Sequence, residues 1–240
     1  MPHFDQEPFD LRCEWGLEGL QGLAASDVIV IVDVLSFTTC VDIAVARGAC
    51  VLPYPLNDLS ALQYAERHGA ELAGRRGDRG SRYSLSPSSL ADLPAGLRLV
   101  LPSPNGSHLA FSAGERATAV IAGCLRNAAA VAAWAAQRGT RIAVIPAGER
   151  WPDGSLRPCV EDLLGAGAIL RELPGRRSPE ADLAVAAFEE CAGNLGARIA
   201  GCSSGRELVE KGYAADVQIA TELNVSNGVP VLKDGAFSCS

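Results

Sequence analysis

Five short apolar runs constrain this chain more than any other feature: VIVIV at 28–32, ACVLP at 49–53, LRLVLP at 97–102, TAVIAGC at 118–124 and RIAVIP at 141–146. Each is near-continuously apolar rather than alternating, which predicts strands covered on both faces. Segments of period near 3.6 fall between them. In NDLSALQYAERHG, Asn57 is the predicted N-cap and Gly69 follows the last turn. Alternating strands and helices predict an α/β fold, three-layer α/β/α with a largely parallel or mixed sheet. At 240 residues and 48% apolar, the chain can bury one large core. A single α/β domain over 1–240 is expected, with a helical sub-domain considered at about 175–215.

Composition narrows the function. The net charge of −7 argues against a nucleic-acid surface, which rewards clustered Lys and Arg. No apolar run reaches the roughly 18 residues of a membrane span, and the start, MPHFDQEPFD, carries no basic-then-apolar signal. Cytoplasm is the expected location, with no membrane partner. The eight cysteines show no C-x-x-C pair and are expected to be reduced and mostly buried.

Asp33 directly follows the first run, at the strand end where open α/β sheets bind ligands. The next segment, TTCVDIAVARG, reads as a helix closed by Gly48, so Ser36, Thr38 and Thr39 stand at an N-terminus whose N–H groups and dipole favour an anion. A carboxylate for a cation beside amides for an anion permits a metal-phosphate site; the alternative is that Asp33 caps the helix. Asn105, Gly106 and Ser107 form a turn after the third run that could cradle an oxyanion, and Gly148, Glu149 and Arg150 follow the fifth. Glu161 and Asp162 open a further helix, where they either join the site or compensate its dipole. The basic cluster Arg75, Arg76, Arg79 and Arg82 lies in a Gly/Ser-rich loop that either meets a substrate anion or is a solvated surface.

Several chemistries are absent. There is no G-x-x-x-x-G-K-[ST] phosphate loop, and GAGAIL has no strand before it, so its glycines are expected to permit close helix packing. Leu35 stands where haloacid-dehalogenase-type phosphatases carry their second acid. Among the three histidines only His108, near the Asn-Gly turn, is a candidate acid or base.

The segments VDVLSFTT, GRRGDRGSRYSLSPSSL, SPNGSHLAF, AGERWPDGSLRPCVEDLLGAGAI and SSGRELVEKGYAADVQIATELNVSNGVPVL, in this order, resemble the 2-phosphosulfolactate phosphatase family, magnesium-dependent phosphohydrolases of coenzyme M biosynthesis. The resemblance implies a three-layer α/β/α architecture and hydrolysis of the phosphate monoester of a small 2-hydroxy acid. It implies catalytic roles for Asp33, Glu161 and Asp162, with Mg²⁺ on Asp33 and Asp162. Substrate contacts are implied for Thr38, Thr39, Asn105 and Gly106, and their places at a helix start, in the basic loop and after a strand make Ser36, Arg75, Arg76 and Glu149 further expected contacts. The expected partner is a small anionic phosphorylated substrate, and a homodimer is the assembly to consider. Two positions depart from the family pattern: Ser36 stands where an arginine is expected, and Leu85 where an asparagine is expected. A lost arginine removes a bidentate anion partner and bears on substrate identity. The rivals are a lyase or transferase acting on a phosphorylated acid, and a protein that binds a small anion without turnover.

Overall fold

The computed structural model describes residues 3–78, 80–113 and 119–239. Its first half runs β1 (Leu11–Cys13), α1 (Gly16–Gly22), β2 (Val28–Val32), α2 (Phe37–Ala46), β3 (Cys50–Tyr54), α3 (Leu59–Arg67), β4 (Glu71–Leu72), β5 (Arg98–Pro102) and α4 (Gly106–Ala113). It continues with β6 (Ala119–Gly123), α5 (Ala128–Ala136), β7 (Ile142–Pro146), β8 (Glu149–Arg150), β9 (Leu156–Arg157) and α6 (Val160–Glu172). The last part is α7 (Pro179–Cys191), α8 (Leu195–Gly201), α9 (Ser203–Glu210), α10 (Ala214–Ala220), β10 (Pro230–Lys233) and β11 (Ala236–Cys239). All five apolar runs are strands, within a residue of their predicted ends; Thr118 of the fourth lies outside the described residues.

The nine-stranded sheet has the order β1-β7-β2-β6-β10-β11-β3-β5-β4. Strands are parallel within β1-β7-β2-β6 and within β3-β5-β4, and the antiparallel hairpin β10–β11 joins the two halves. The sheet is therefore mixed, and the C-terminus links it. Strand β2 shows why both faces are covered: Val28, Val30 and Val32 pack with residues of α5, α6 and α7, while Ile29 and Ile31 pack with α2 and α4. All five side chains are fully buried, each stabilising the fold by roughly 1.5–3 kcal/mol. Helices α7 to α10 share the first of these clusters through Phe188, Ile199, Leu208 and Val217.

Local signals place most helix ends. Gly48 and Gly69, after α2 and α3, take positive φ of 81° and 57°. The cap of α3 is Asp58, not Asn57: its backbone is extended and its carboxylate accepts from Ser60 N. The helix starts one residue later than the spacing predicts because Asp58 can satisfy that free amide with its own side chain. The glycines of GAGAIL pack closely in α6: a methyl on Gly167 would lie 2.0 Å from the carbonyl oxygen of Ala184 in α7. Among the described residues no helix is long and apolar enough to cross a membrane.

Candidate active site

The carboxyl ends of β2, β5 and β7 meet at Asp33. In the sheet, β6, β10, β11 and β3 lie between β2 and β5, about 24 Å of flat sheet at ~4.8 Å per strand. The sheet curls enough to close that gap, because Gly106 N at the start of α4 donates to Asp33 Oδ2 at 2.8 Å. Phe37 N, at the start of α2, donates to Oδ1 at 3.1 Å. Glycine is required at 106, where a Cβ would sit 2.6 Å from Asp33 Oδ2 and 2.7 Å from the Phe37 ring.

Asp162, in the first turn of α6, is held the same way. Val34 N donates to its Oδ1 at 2.7 Å and Gly148 N to its Oδ2 at 2.9 Å. One carboxylate thereby ties the loop after β2 to the loop after β7. Adjacent Glu161 is also buried, and the Cys202 thiol donates to its Oε2 at 3.2 Å. Both acids of the pair therefore lie inward, although adjacent helical positions point about 100° apart. Glu149 is half-buried, and Asn105 Nδ2 donates to its Oε2 at 2.9 Å.

Electrostatically these groups oppose one another. Burial, then repulsion by Glu149, pushes the Asp33 carboxyl up to about 7 against the pull of the Phe37 and Gly106 amides. Burial raises Asp162 too, followed by repulsion from Asp33 and Glu161. Glu149 is raised by burial, moderated by Asn105 and Arg157. Acids packed together away from water are uncomfortable as anions unless a cation joins them.

The other predicted residues divide. The hydroxyls of Thr38 and Thr39 are fully buried and donate to the carbonyls of Asp33 and Val34, both at 2.8 Å. With the Gly106 amide they are spent inside the protein, holding the loop that carries Asp33. The first amides of α2 likewise serve Asp33: Phe37 N meets its side chain and Thr38 N its carbonyl. Helix capping and site formation are here one arrangement, because a carboxylate at a strand end is also the nearest acceptor for the next helix. Ser107 Oγ is a staple, accepting from Tyr54 N and donating to Leu101 O.

Ser36 occupies the N-cap position of α2 without a side-chain bond to the helix, and its Oγ accepts from Arg76 Nη2 at 2.9 Å. Arg75 is exposed, Arg82 lies over the Tyr83 ring, and Arg79 is outside the described residues. His108 lines a cleft of about 1570 Å³ that runs from Asn105 and Glu149 past Trp15, Leu17 and Leu156. Sequence reasoning misses Asp216, which contacts Arg76, Ser86 and Ser88; it lies 130 residues from Ser86 and 128 from Ser88, Arg76 is farther still, and no local pattern marks the pairing.

Among the described residues no group of three or more His, Cys, Asp or Glu is already arranged to hold a metal ion. Such a cage is not what Mg²⁺ requires: it keeps several waters and takes one or two carboxylates plus substrate phosphate. Asp33 and Asp162, each with lone pairs beyond its two amide bonds and with a raised carboxyl, fit that demand.

A profile of the family described as 2-phosphosulpholactate phosphatase matches residues 17–235. A protein of Carboxydothermus hydrogenoformans named "Probable 2-phosphosulfolactate phosphatase" is 31% identical over 214 residues, covering 86% of this chain and 87% of its own. The protein of Methanothermobacter thermautotrophicus named "2-phosphosulfolactate phosphatase" is 27% identical, covering 88% of each chain. A Deinococcus radiodurans protein with the "Probable" form of the name is 30% identical, covering 87% and 89%.

Proposed function

This chain belongs to the 2-phosphosulpholactate phosphatase family, a family of phosphoric monoester hydrolases, and from that premise we propose that it hydrolyses 2-phosphosulfolactate to sulfolactate and inorganic phosphate with Mg²⁺. The observation that carries the reading is the pair Asp33 and Asp162, each clasped by two backbone amides and neither paired with a Lys, Arg or His among the described residues. Asp33 and Asp162 would hold Mg²⁺, with Glu161 beside them. Bound there, the ion supplies neutralisation of the charge that spreads over the phosphoryl oxygens as the ester bond breaks.

The chain's own groups do the remaining work. The amide clasps hold both acids rigid, so little reorganisation accompanies the reaction. Glu149 is anchored through Oε2, and its Oε1, which no described residue engages, faces the task of taking a proton from the attacking water. Its raised carboxyl brings its proton affinity closer to that task. The water oxygen bonds phosphorus as Glu149 takes its proton, the bond from phosphorus to the 2-hydroxyl oxygen breaks, and that oxygen takes a proton from solvent water while Glu149 returns its own to solvent.

A second reading, small-anion binding without turnover, draws support from Ser36, which stands where the family pattern carries an arginine. One assay separates the two. Inorganic phosphate is measured from 2-phosphosulfolactate and 2-phospholactate with Mg²⁺ and with chelator. Release that needs Mg²⁺ is expected. No release from either ester, with phosphate still bound, would establish the second reading instead.

A further inference from the structure

Arg76 stands apart from the other arginines of its loop because three parts of the fold hold it. Its Nη2 donates to Ser36 Oγ at 2.9 Å and to the carbonyl of Leu85. Its Nε lies 3.4 Å from Asp216 Oδ2, and its central carbon is 5.2 Å from the centre of the Tyr213 ring. Asp216, only 1% exposed, is itself fixed: Ser86 Oγ donates to it at 2.6 Å, Ser88 Oγ at 2.7 Å and Ser88 N at 3.1 Å. No described residue engages Nη1, and the side chain keeps 19% of its surface open.

The position matters as much as the restraint. Ser36 stands directly before α2, whose first amide holds Asp33, and Cys40 one turn further in is within electrostatic reach of Arg76, Asp216 and Asp33 alike. An exposed arginine would have to be ordered when it bound an anion. Here folding has already ordered it, so its free N–H groups meet a ligand without that cost.

We infer that Asp216 is a positioning residue for substrate selection: acting through Arg76, it fixes the receptor for the substrate's carboxylate, beside the phosphate end of the site. The inference rests on the phosphatase reading above and adds to it the part played by α10. Arg76 Nη1 gives a charge-assisted hydrogen bond to one oxygen of that group. Asp216 makes no contact with the ligand and acts by aiming the guanidinium.

The test compares 2-phospholactate with isopropyl phosphate, the same carbon skeleton with a methyl group in place of the carboxylate. Asp216→Asn keeps the side chain's size and an oxygen for the serines but removes the charge opposite Nε. We expect the KM for 2-phospholactate to rise about tenfold more than the KM for isopropyl phosphate, a loss of the order of one charge-assisted hydrogen bond. Arg76→Lys should show the same selective rise, because a point charge does not reproduce the fork. Equal changes for both esters would overturn the inference, since a merely structural Asp216, or an Arg76 that binds phosphate itself, cannot discriminate between them. If Asp216→Asn fails to fold, Ser88→Ala loosens the same carboxylate and is judged by the same ratio.

Titration calorimetry with sulfolactate keeps the two readings apart. Were the unaltered protein to hydrolyse no ester, the phosphatase reading would fall. Sulfolactate binding about tenfold weaker in Asp216→Asn would still support the positioning role, and equal binding would overturn it.

Discussion

Asp33 and Asp216 are both almost fully buried, 6% and 1% exposed, and both accept hydrogen bonds on each carboxylate oxygen, yet among the described residues only Asp216 has a guanidinium against it. Around Asp33 stand Glu149, Glu161 and Asp162 instead. Hydrogen bonds alone do not complete a buried acid, because its charge must also be balanced. The Asp216 network is balanced within the protein and serves to hold something still. The Asp33 network has no such partner among the described residues, and a proton or an added cation would balance it; the proposed metal site rests on that property.

Neutralising Asp33 should break the comparison most severely. Asp33→Asn is expected to lower kcat by about a thousandfold or more in the phosphate-release assay, because a metal-linked charge is removed where transition-state charge develops. Turnover kept within a few fold would contradict the role given to Asp33.

The balanced class should respond in stability instead. Fully buried Asp42 is paired with Arg126 Nε at 3.1 Å and accepts from Ser226 Oγ at 2.6 Å. Arg126→Ala strands that charge and should cost about 3 kcal/mol in urea unfolding, with kcat of the folded fraction within twofold. A loss under about 1 kcal/mol would show that Ser226 and water suffice for Asp42.

The smallest effect sharpens the contrast through pH. The Asp33 and Asp162 carboxyls are raised, so the folded protein binds more protons than the unfolded chain from the ordinary carboxylate range near 4 up to about 7. Their contribution to stability is therefore present at low pH and declines as pH rises through that window. Mg²⁺ needs the ionised form, so the Tm gain it produces should be a few degrees larger at pH 8 than at pH 5. A gain that is equal at both pH values, or larger at pH 5, would contradict the unbalanced-acid account.

The sequence made the scaffold of this contrast legible and concealed half of its content. Short continuous apolar runs bounded by turn residues mark buried strands, and a strand-end acid such as Asp33 follows directly. Glu161 and Asp162 could be placed at a helix start, but only the fold shows that both turn inward. The β10–β11 hairpin escaped the strand reading, although Asp234 and Gly235, with φ of 50° and 77°, form the Asp-Gly turn that signals one. Its runs were too short for apolar periodicity to register. The pairing of Arg76 with Asp216 had no local signal, since salt-bridge partners this far apart in sequence meet only through tertiary packing. The commitment of Thr38, Thr39 and Gly106 to internal bonds was hidden for a related reason: a hydroxyl or amide suited to a phosphate suits a carbonyl or carboxylate equally well.

The most direct measurement is calorimetric titration of Mg²⁺ into the unaltered protein, Asp33→Asn and Asp162→Asn at pH 7, each in two buffers of different ionisation enthalpy. We predict one Mg²⁺ site with proton release in the unaltered protein, weakened at least tenfold in either variant. Equal affinity in all three proteins would place the cation elsewhere and contradict the claim that these buried acids are held together to receive it.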